Sequence, residues 1–256
     1  MDAATKLIFA LDASAPGSAL ALGRYDASNP LETAEFLAGD ERIDGANQAS
    51  QTLGERICDV FERAGVELAD VDLIACGCGP GTFTGTRVAL ATAQGLAAGL
   101  KCDTVSLSTL DALAWSHPKD AALVDGTVLL SLLDARRGEI YGRAYQKREH
   151  EWEALTDPVC TEIGVFLAGL PAGPRVALGP GVEPYLEALP PGTATLSAEE
   201  RLMGPSARGL WRASCAAFAR DGAHPVTELR PMYLRATYAE LGINKPKRAM
   251  FKSPFV

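Results

Sequence analysis

Histidine is scarce in this chain: three in 256 residues, His117, His150 and His224, far apart. There is no H-x-x-x-H pair and no C-x-x-C, so a tetrahedral metal site, which needs about four ligands, has no legible donor set. The same scarcity removes the usual general base for a serine or cysteine nucleophile. No uncharged stretch of 18 residues occurs, which excludes a membrane-spanning helix, and the apolar run in the opening MDAATKLIFALDAS is too short for a signal peptide. A cytoplasmic protein without membrane contact is expected. Basic balance is missing as well. With 24 basic and 32 acidic side chains, a formal charge of −8 and a pI near 5.0, the chain does not read as a free-standing nucleic-acid binder. The six cysteines are scattered, at Cys58, Cys76, Cys78, Cys102, Cys160 and Cys215, and in a reducing compartment they should be buried thiols.

What is present is an ordinary globular balance, 47% hydrophobic and 22% charged, with length enough for one large domain or two lobes. Residues 6–12 and 18–25 are short apolar runs around Ser14, Pro16 and Gly17, which predicts a β-hairpin. A third run at 32–38 should complete a meander. Ala49, Leu53, Ile57, Val60, Phe61 and Ala64 lie on one face of a helix closed by Gly65. A buried strand at 72–76 leads through a glycine-rich run into a second helix from about residue 86 to 100, and a strand follows at 104–107. After a helix at 108–115, the order restarts: a hairpin at 128–134 and 139–146, a strand within 152–160, a helix near 162–170, a strand at 175–178 and a helix near 182–189. The reading is an α/β fold in which one β-β-β-α-β-α design occurs twice. Ser206–Arg220 is a further amphipathic helix, with Leu210, Trp211, Ser214, Cys215 and Phe218 on one stripe. The segment 230–256 carries six basic residues and one acidic, and 241–256 reads as a basic, flexible, solvated tail.

The run Gly77-Cys78-Gly79-Pro80-Gly81-Thr82-Phe83-Thr84-Gly85-Thr86-Arg87 sits between strand and helix. Its glycines let the backbone turn sharply or approach something closely, and the helix start offers free N–H groups to an anion. It has neither the Lys-Ser/Thr of a Walker loop nor dinucleotide spacing. Two functions remain open for it: phosphate binding, with Asp12 and Ser14 of the first hairpin beside Gly79 and Gly81, or a tight structural turn in which Asp12 caps its own hairpin. In the second helix, Gly85, Ala89, Ala93 and Ala97 form one row of small residues, and Ala91, Gly95 and Ala98 or Gly99 form another. Such rows admit a close neighbour, either the chain's own first helix or a partner protein. Cys76 and Cys78 read as buried thiols at a strand end.

GCGPGTFTGTR at 77–87, continuing as VALATAQGLAAG, resembles the signature of the TsaB (YeaZ) family. LIFALDAS, VSLSTLDALA at 105–114, DARRGEIYGRAY at 134–145 and PMYLR at 231–235 extend the resemblance to about residue 236. It implies a two-lobed fold of the actin, sugar kinase and Hsp70 (ASKHA) type, with an N-terminal lobe at 1–105, a C-terminal lobe at 106–221 and a joining segment at about 222–240. It also implies a non-catalytic accessory subunit of tRNA threonylcarbamoyladenosine synthesis, without a metal or cofactor of its own. The partners implied are the catalytic subunit TsaD and the ATPase TsaE, with tRNA met only through the complex, nucleotide placed at the boundary with TsaD, and a homodimer when the chain is alone. The interface implied lies on the two N-lobe helices, at Leu53, Ile57, Phe61, Arg87, Ala89, Leu90, Ala93, Gln94 and Ala97. A weak ATPase or small-molecule kinase of the same superfamily, built on Asp12, Ser14 and the 77–87 loop, is the alternative.

Overall fold

The computed structural model describes residues 5–43, 49–118, 123–148, 151–196 and 202–235. The hairpin forms as β1 (Lys6–Asp12) and β2 (Gly17–Tyr25), and β3 (Glu35–Ile43) completes the meander. β3 lies later than the apolar run at 32–38 suggested, because Leu31–Thr33 is a 3-10 turn entered from Pro30. Pairing with β2 then carries the strand through the polar Asp40, Glu41 and Arg42 at the sheet edge. Next come α1 (Ala49–Ala64), β4 (Leu73–Gly77), α2 (Phe83–Leu100), β5 (Asp103–Leu107) and α3 (Thr109–Ala114). The sheet order is β3-β2-β1-β4-β5, with β1, β4 and β5 parallel.

The second sheet repeats the plan. β6 (Val128–Arg136) and β7 (Glu139–Arg148) form its hairpin. The single strand expected within 152–160 is two short ones, β8 (Glu151–Ala154) and β9 (Val159–Glu162), both paired with β7. Pro158 stands between them, and a proline cannot donate to the ladder. α4 (Ile163–Ala168), β10 (Arg175–Leu178) and β11 (Ala194–Thr195) follow. The helix expected near 182–189 is a kinked 3-10 segment, Glu183–Ala188, with Pro184 in its first turn and Tyr185 outside helical dihedrals. From β8 the order runs β8-β7-β6-β10-β11, strand for strand that of the first sheet.

Local chemistry sets the helix ends. Thr82, Ser108 and Ser206 are N-caps whose hydroxyls accept N–H bonds from Gly85, Leu110 and Gly209, each worth about 1 kcal/mol. α5 (Ala207–Asp221) stops at Gly222, where φ is +75°. α1 and α2 cover one face of the first sheet, and α5 covers the other with Leu210, Trp211, Ala213 and Cys215. α5 therefore packs with the first lobe, although it lies within the 106–221 segment read as the second. Leu53, Ile57, Val60 and Phe61 seat α1, each burial worth on the order of 1.5–3 kcal/mol. Arg56 is also seated there, 1% exposed, with Nε 2.5 Å from Asp40 Oδ2 and Nη1 2.6 Å from Ser18 Oγ. Leu110 and Leu113 of α3 meet Ala15 and Leu133 where the two lobes join. Among the described residues no helix is long and apolar enough to cross a membrane.

Candidate functional site

The glycine-rich run leaves β4 at Gly77 and enters α2 at Phe83. Gly79 has φ +93° and precedes a cis peptide to Pro80. Four backbone bonds hold the loop: Cys78 N–H to Leu107 O at 2.9 Å, Thr109 N–H to Gly79 O at 2.9 Å, Met232 N–H to Cys78 O at 2.8 Å and Thr82 N–H to Ser14 O at 2.6 Å. The first hairpin turn lies directly on it. A Cβ at Gly77 would stand 2.1 Å from Asp12 Oδ2, at Gly81 2.1 Å from Ser14 O, and at Gly85 1.9 Å from Ala13 O. Glycine is needed here because the Asp12 side chain at Gly77, and the hairpin backbone at Gly81 and Gly85, occupy the space a side chain would take.

Asp12 and Ser14 are fully buried at this junction. Asp12 Oδ1 accepts the Ser14 N–H at 2.7 Å, which caps its own turn. Burial raises the Asp12 carboxyl above the ordinary carboxylate range, against the opposing pull of the Ser14 amide and the Thr109 and Ser14 hydroxyls. Those hydroxyls are near enough to favour the anion, yet Asp12 Oδ2, Ser14 Oγ and Thr109 Oγ1 close no hydrogen bond. Asp12, Ser14 and Gly81 are thus brought together, with Gly79 one step away against Met232 O and Thr86. The corner is closed, and the geometry favours the tight structural turn. Cys76 and Cys78 are buried beside it; contact with Cys78, then burial, push the Cys76 thiol up. Among the described residues no cluster of three or more potential metal ligands occurs.

The nine residues expected at a partner interface divide sharply. Leu53, Ile57, Phe61, Ala89, Leu90, Ala93 and Ala97 are buried in the chain's own core. The first small row of α2 lets that helix lie low on its sheet, so intramolecular packing consumes it. Arg87 and Gln94 are exposed, and Gln94 Nε2 donates to Leu229 O at 3.1 Å. The outward face of α2 is the second row, Ala91, Gly95, Ala98 and Gly99, with Phe83 and Thr84 at its N-terminal end. A Cβ at Gly95 or Gly99, or at Gly54 on α1, would meet nothing within 4 Å. Arg87 is the one charge among the exposed residues of α2, a composition unlike the polar face of an ordinary surface helix.

Sequence reasoning missed the cluster at the α2 N-terminus. Phe83 is 53% and Tyr233 47% exposed. Their rings stack at 6.2 Å, with Arg87 Cζ 3.5 Å from the Phe83 centroid and Arg87 Nε 3.1 Å from Tyr233 Oη. PMYLR was a visible motif, but Arg87, which bonds its Tyr233, lies 146 residues away in sequence. The segment 229–235 straps the lobes together: Leu229 sits in the first core, Met232 bonds Cys78, and Arg235 Nη1 donates to Ala135 O at 2.7 Å and pairs with Glu139 on the second hairpin. The expected tail at 241–256, and the joining segment beyond residue 235, lie outside the described residues.

Two α/β lobes of the same strand order, each opened by an antiparallel hairpin, with a glycine-rich strand-to-helix loop against the first, define an actin, sugar kinase and Hsp70-like protein. Comparison with known proteins narrows this. A family model described as TsaD, tRNA N6-adenosine threonylcarbamoyltransferase, matches residues 45–195. The Escherichia coli (strain K12) tRNA threonylcarbamoyladenosine biosynthesis protein TsaB is 31% identical over 197 residues, 74% of this chain and 82% of that protein. Its Haemophilus influenzae namesake is 32% identical over 126 residues, 48% and 52%. The solved structure of YeaZ from Pseudomonas aeruginosa superposes with a TM-score of 0.74 at 27% identity, covering 90% of this chain and all of that one. The chain belongs to the TsaB (YeaZ) family.

Proposed function

We propose that this protein takes part in tRNA threonylcarbamoyladenosine synthesis as a non-catalytic scaffold, docking through the outward face of α2 and the adjoining α1 onto the catalytic subunit TsaD and helping to recruit TsaE. The observation that carries this reading is the uncharged small-residue surface of α2, which lies open and level enough for another helix to approach backbone to backbone. Phe83, Arg87 and Tyr233 at its end have the composition of an interface anchor. The closed corner at Asp12, Ser14, Gly79 and Gly81 weighs against the alternative of a weak ATPase or small-molecule kinase, since phosphoryl transfer needs carboxylates and space around the phosphates. In this reading the chain holds no cofactor of its own, nucleotide has its place at the boundary with TsaD, and tRNA is met through the complex. The same face pairs two copies when the chain is alone, and the assembly works in the cytoplasm.

Gly95→Arg tests it. Position 95 is open, and replacing glycine by arginine inside a helix favours the helix by roughly 0.5–1 kcal/mol, so folding is retained. Loss of TsaD co-purification with an undiminished Tm is expected. Retained association at wild-type strength would refute the docking face.

A further inference from the structure

A concavity lies at the far ends of the two hairpins, away from the glycine-rich loop. Asp12 pairs with Ala19 next to the first hairpin turn, whereas Lys6 and Tyr25 pair at the far end; in the second hairpin Arg136 and Glu139 flank the turn, whereas Leu129 and Tyr145 pair far from it. The far ends of both hairpins, together with α3, β8 and α5, enclose an open cleft of about 740 Å³, within the roughly 300–1,000 Å³ range of small-molecule sites. Five separate segments build it, so no sequence window reveals it.

Its surfaces are specific. Ala213, Ala216 and Ala219, spaced one turn apart along α5, give a level floor. Trp115 and Trp152 stand on its sides, each braced from behind: Arg212 Cζ lies 5.4 Å from the Trp115 ring centroid, and the His117 ring meets Trp152 edge-on at 6.1 Å. Asp111 also lines the cleft. Arg143 Nη1 and Tyr145 Oη both donate to its Oδ1 at 2.5 Å, and among the described residues none donates to Oδ2. Arg143 already balances the Asp111 charge, so the cleft calls for a neutral donor rather than a free cation. An apolar occupant would leave a carboxylate oxygen unpaired at a desolvated surface. A flat ring against indoles gains stacking that is tolerant of ring identity.

We propose that this cleft binds a nucleobase carrying an exocyclic amino group, laid on the alanine floor against the indoles, with its amine donating to Asp111 Oδ2. The inference goes beyond the docking reading and does not rest on it. Of the three tryptophans, Trp115 and Trp152 line the cleft and Trp211 is buried against the first sheet, so tryptophan fluorescence of the full chain reports occupancy. Adenosine should quench it saturably, and purine riboside, which lacks the amine, should bind roughly tenfold more weakly, the scale of one hydrogen bond to a charged acceptor. Asp111→Asn keeps an oxygen for Arg143 and Tyr145 but turns a donor toward the amine, and should weaken adenosine by about the same factor. Ala216→Trp fills the floor and should abolish binding. Competition by a short oligoadenylate would make the base one presented on RNA, and its failure to compete would make the free nucleoside the ligand; both uphold the site. No saturable quenching by adenosine or oligoadenylate, equal affinity for purine riboside, or undiminished binding by both variants would overturn it.

Discussion

Replacing Asp12 by asparagine should stabilise the protein. Asp12 is 1% exposed, and the hydrogen bond its carboxylate closes is with the Ser14 amide. Asparagine keeps an oxygen for that amide. It also sets an NH₂ where Oδ2 now has no partner, with the Ser14 and Thr109 hydroxyls as acceptors. Relief of one unsatisfied buried group is worth about 1–3 kcal/mol, and in a chain of this size each kcal/mol moves Tm by about 2–4 °C. The sign of the pH dependence follows from the raised carboxyl. Above the unfolded value of 3.8 the unfolded chain has released a proton that the folded chain still holds, so wild-type stability from this group falls as pH rises toward the folded pKa and is level beyond it. The asparagine variant lacks that slope. Thermal melts of both proteins between about pH 5 and 8, where folded proteins are usually most stable, should show the variant ahead by several degrees at neutral pH, with the gap narrowing toward acid. A variant that melts lower, or a gap unchanged with pH, would refute the account of a closed, self-capped junction.

Ala93→Arg, which forces a charge into the first core where Ala93 is fully buried, should destabilise by about 3–5 kcal/mol, seen as a lower urea midpoint; a stable variant would mean that α2 is seated differently. Gly81→Ala drives a Cβ to within 2.1 Å of Ser14 O and should lower stability by more than about 1–3 kcal/mol, since backbone cannot give way as a side chain can; an unchanged melt would contradict the close approach of hairpin and loop. Arg235→Ala removes the strap's hold on Ala135, Arg136 and Glu139, and hydrogen exchange should rise over 135–139 and 229–235 while α2 stays protected; uniform exchange across the chain would show that the strap does not join the lobes.

The two sheets, their hairpins and most helices were legible because each announces itself locally: the face of α1 in its spacing, α2 in the glycine-rich run before it, α5 in its apolar stripe. Misreadings fell where backbone pairing or proline outweighed side-chain pattern, as in β3, in the split strand around Pro158 and in the kinked segment at Pro184. At the candidate site, small residues showed that α2 must be approached closely, yet not from which side. Gly85, Ala89, Ala93 and Ala97 turned inward, and Ala91, Gly95, Ala98 and Gly99 were left outside.

Periodicity and capping are properties of neighbouring residues, so the string of amino acids alone determined the elements, their repetition and the family resemblance. Which side of a helix faces its own sheet, whether Asp12 looks onto a ligand or onto a glycine, and whether Trp115, Trp152 and Asp111 share a cleft depend on contacts between segments distant in the chain. Only the folded chain decides those, because close packing lets one surface be buried by the molecule itself and leaves the other for whatever comes next.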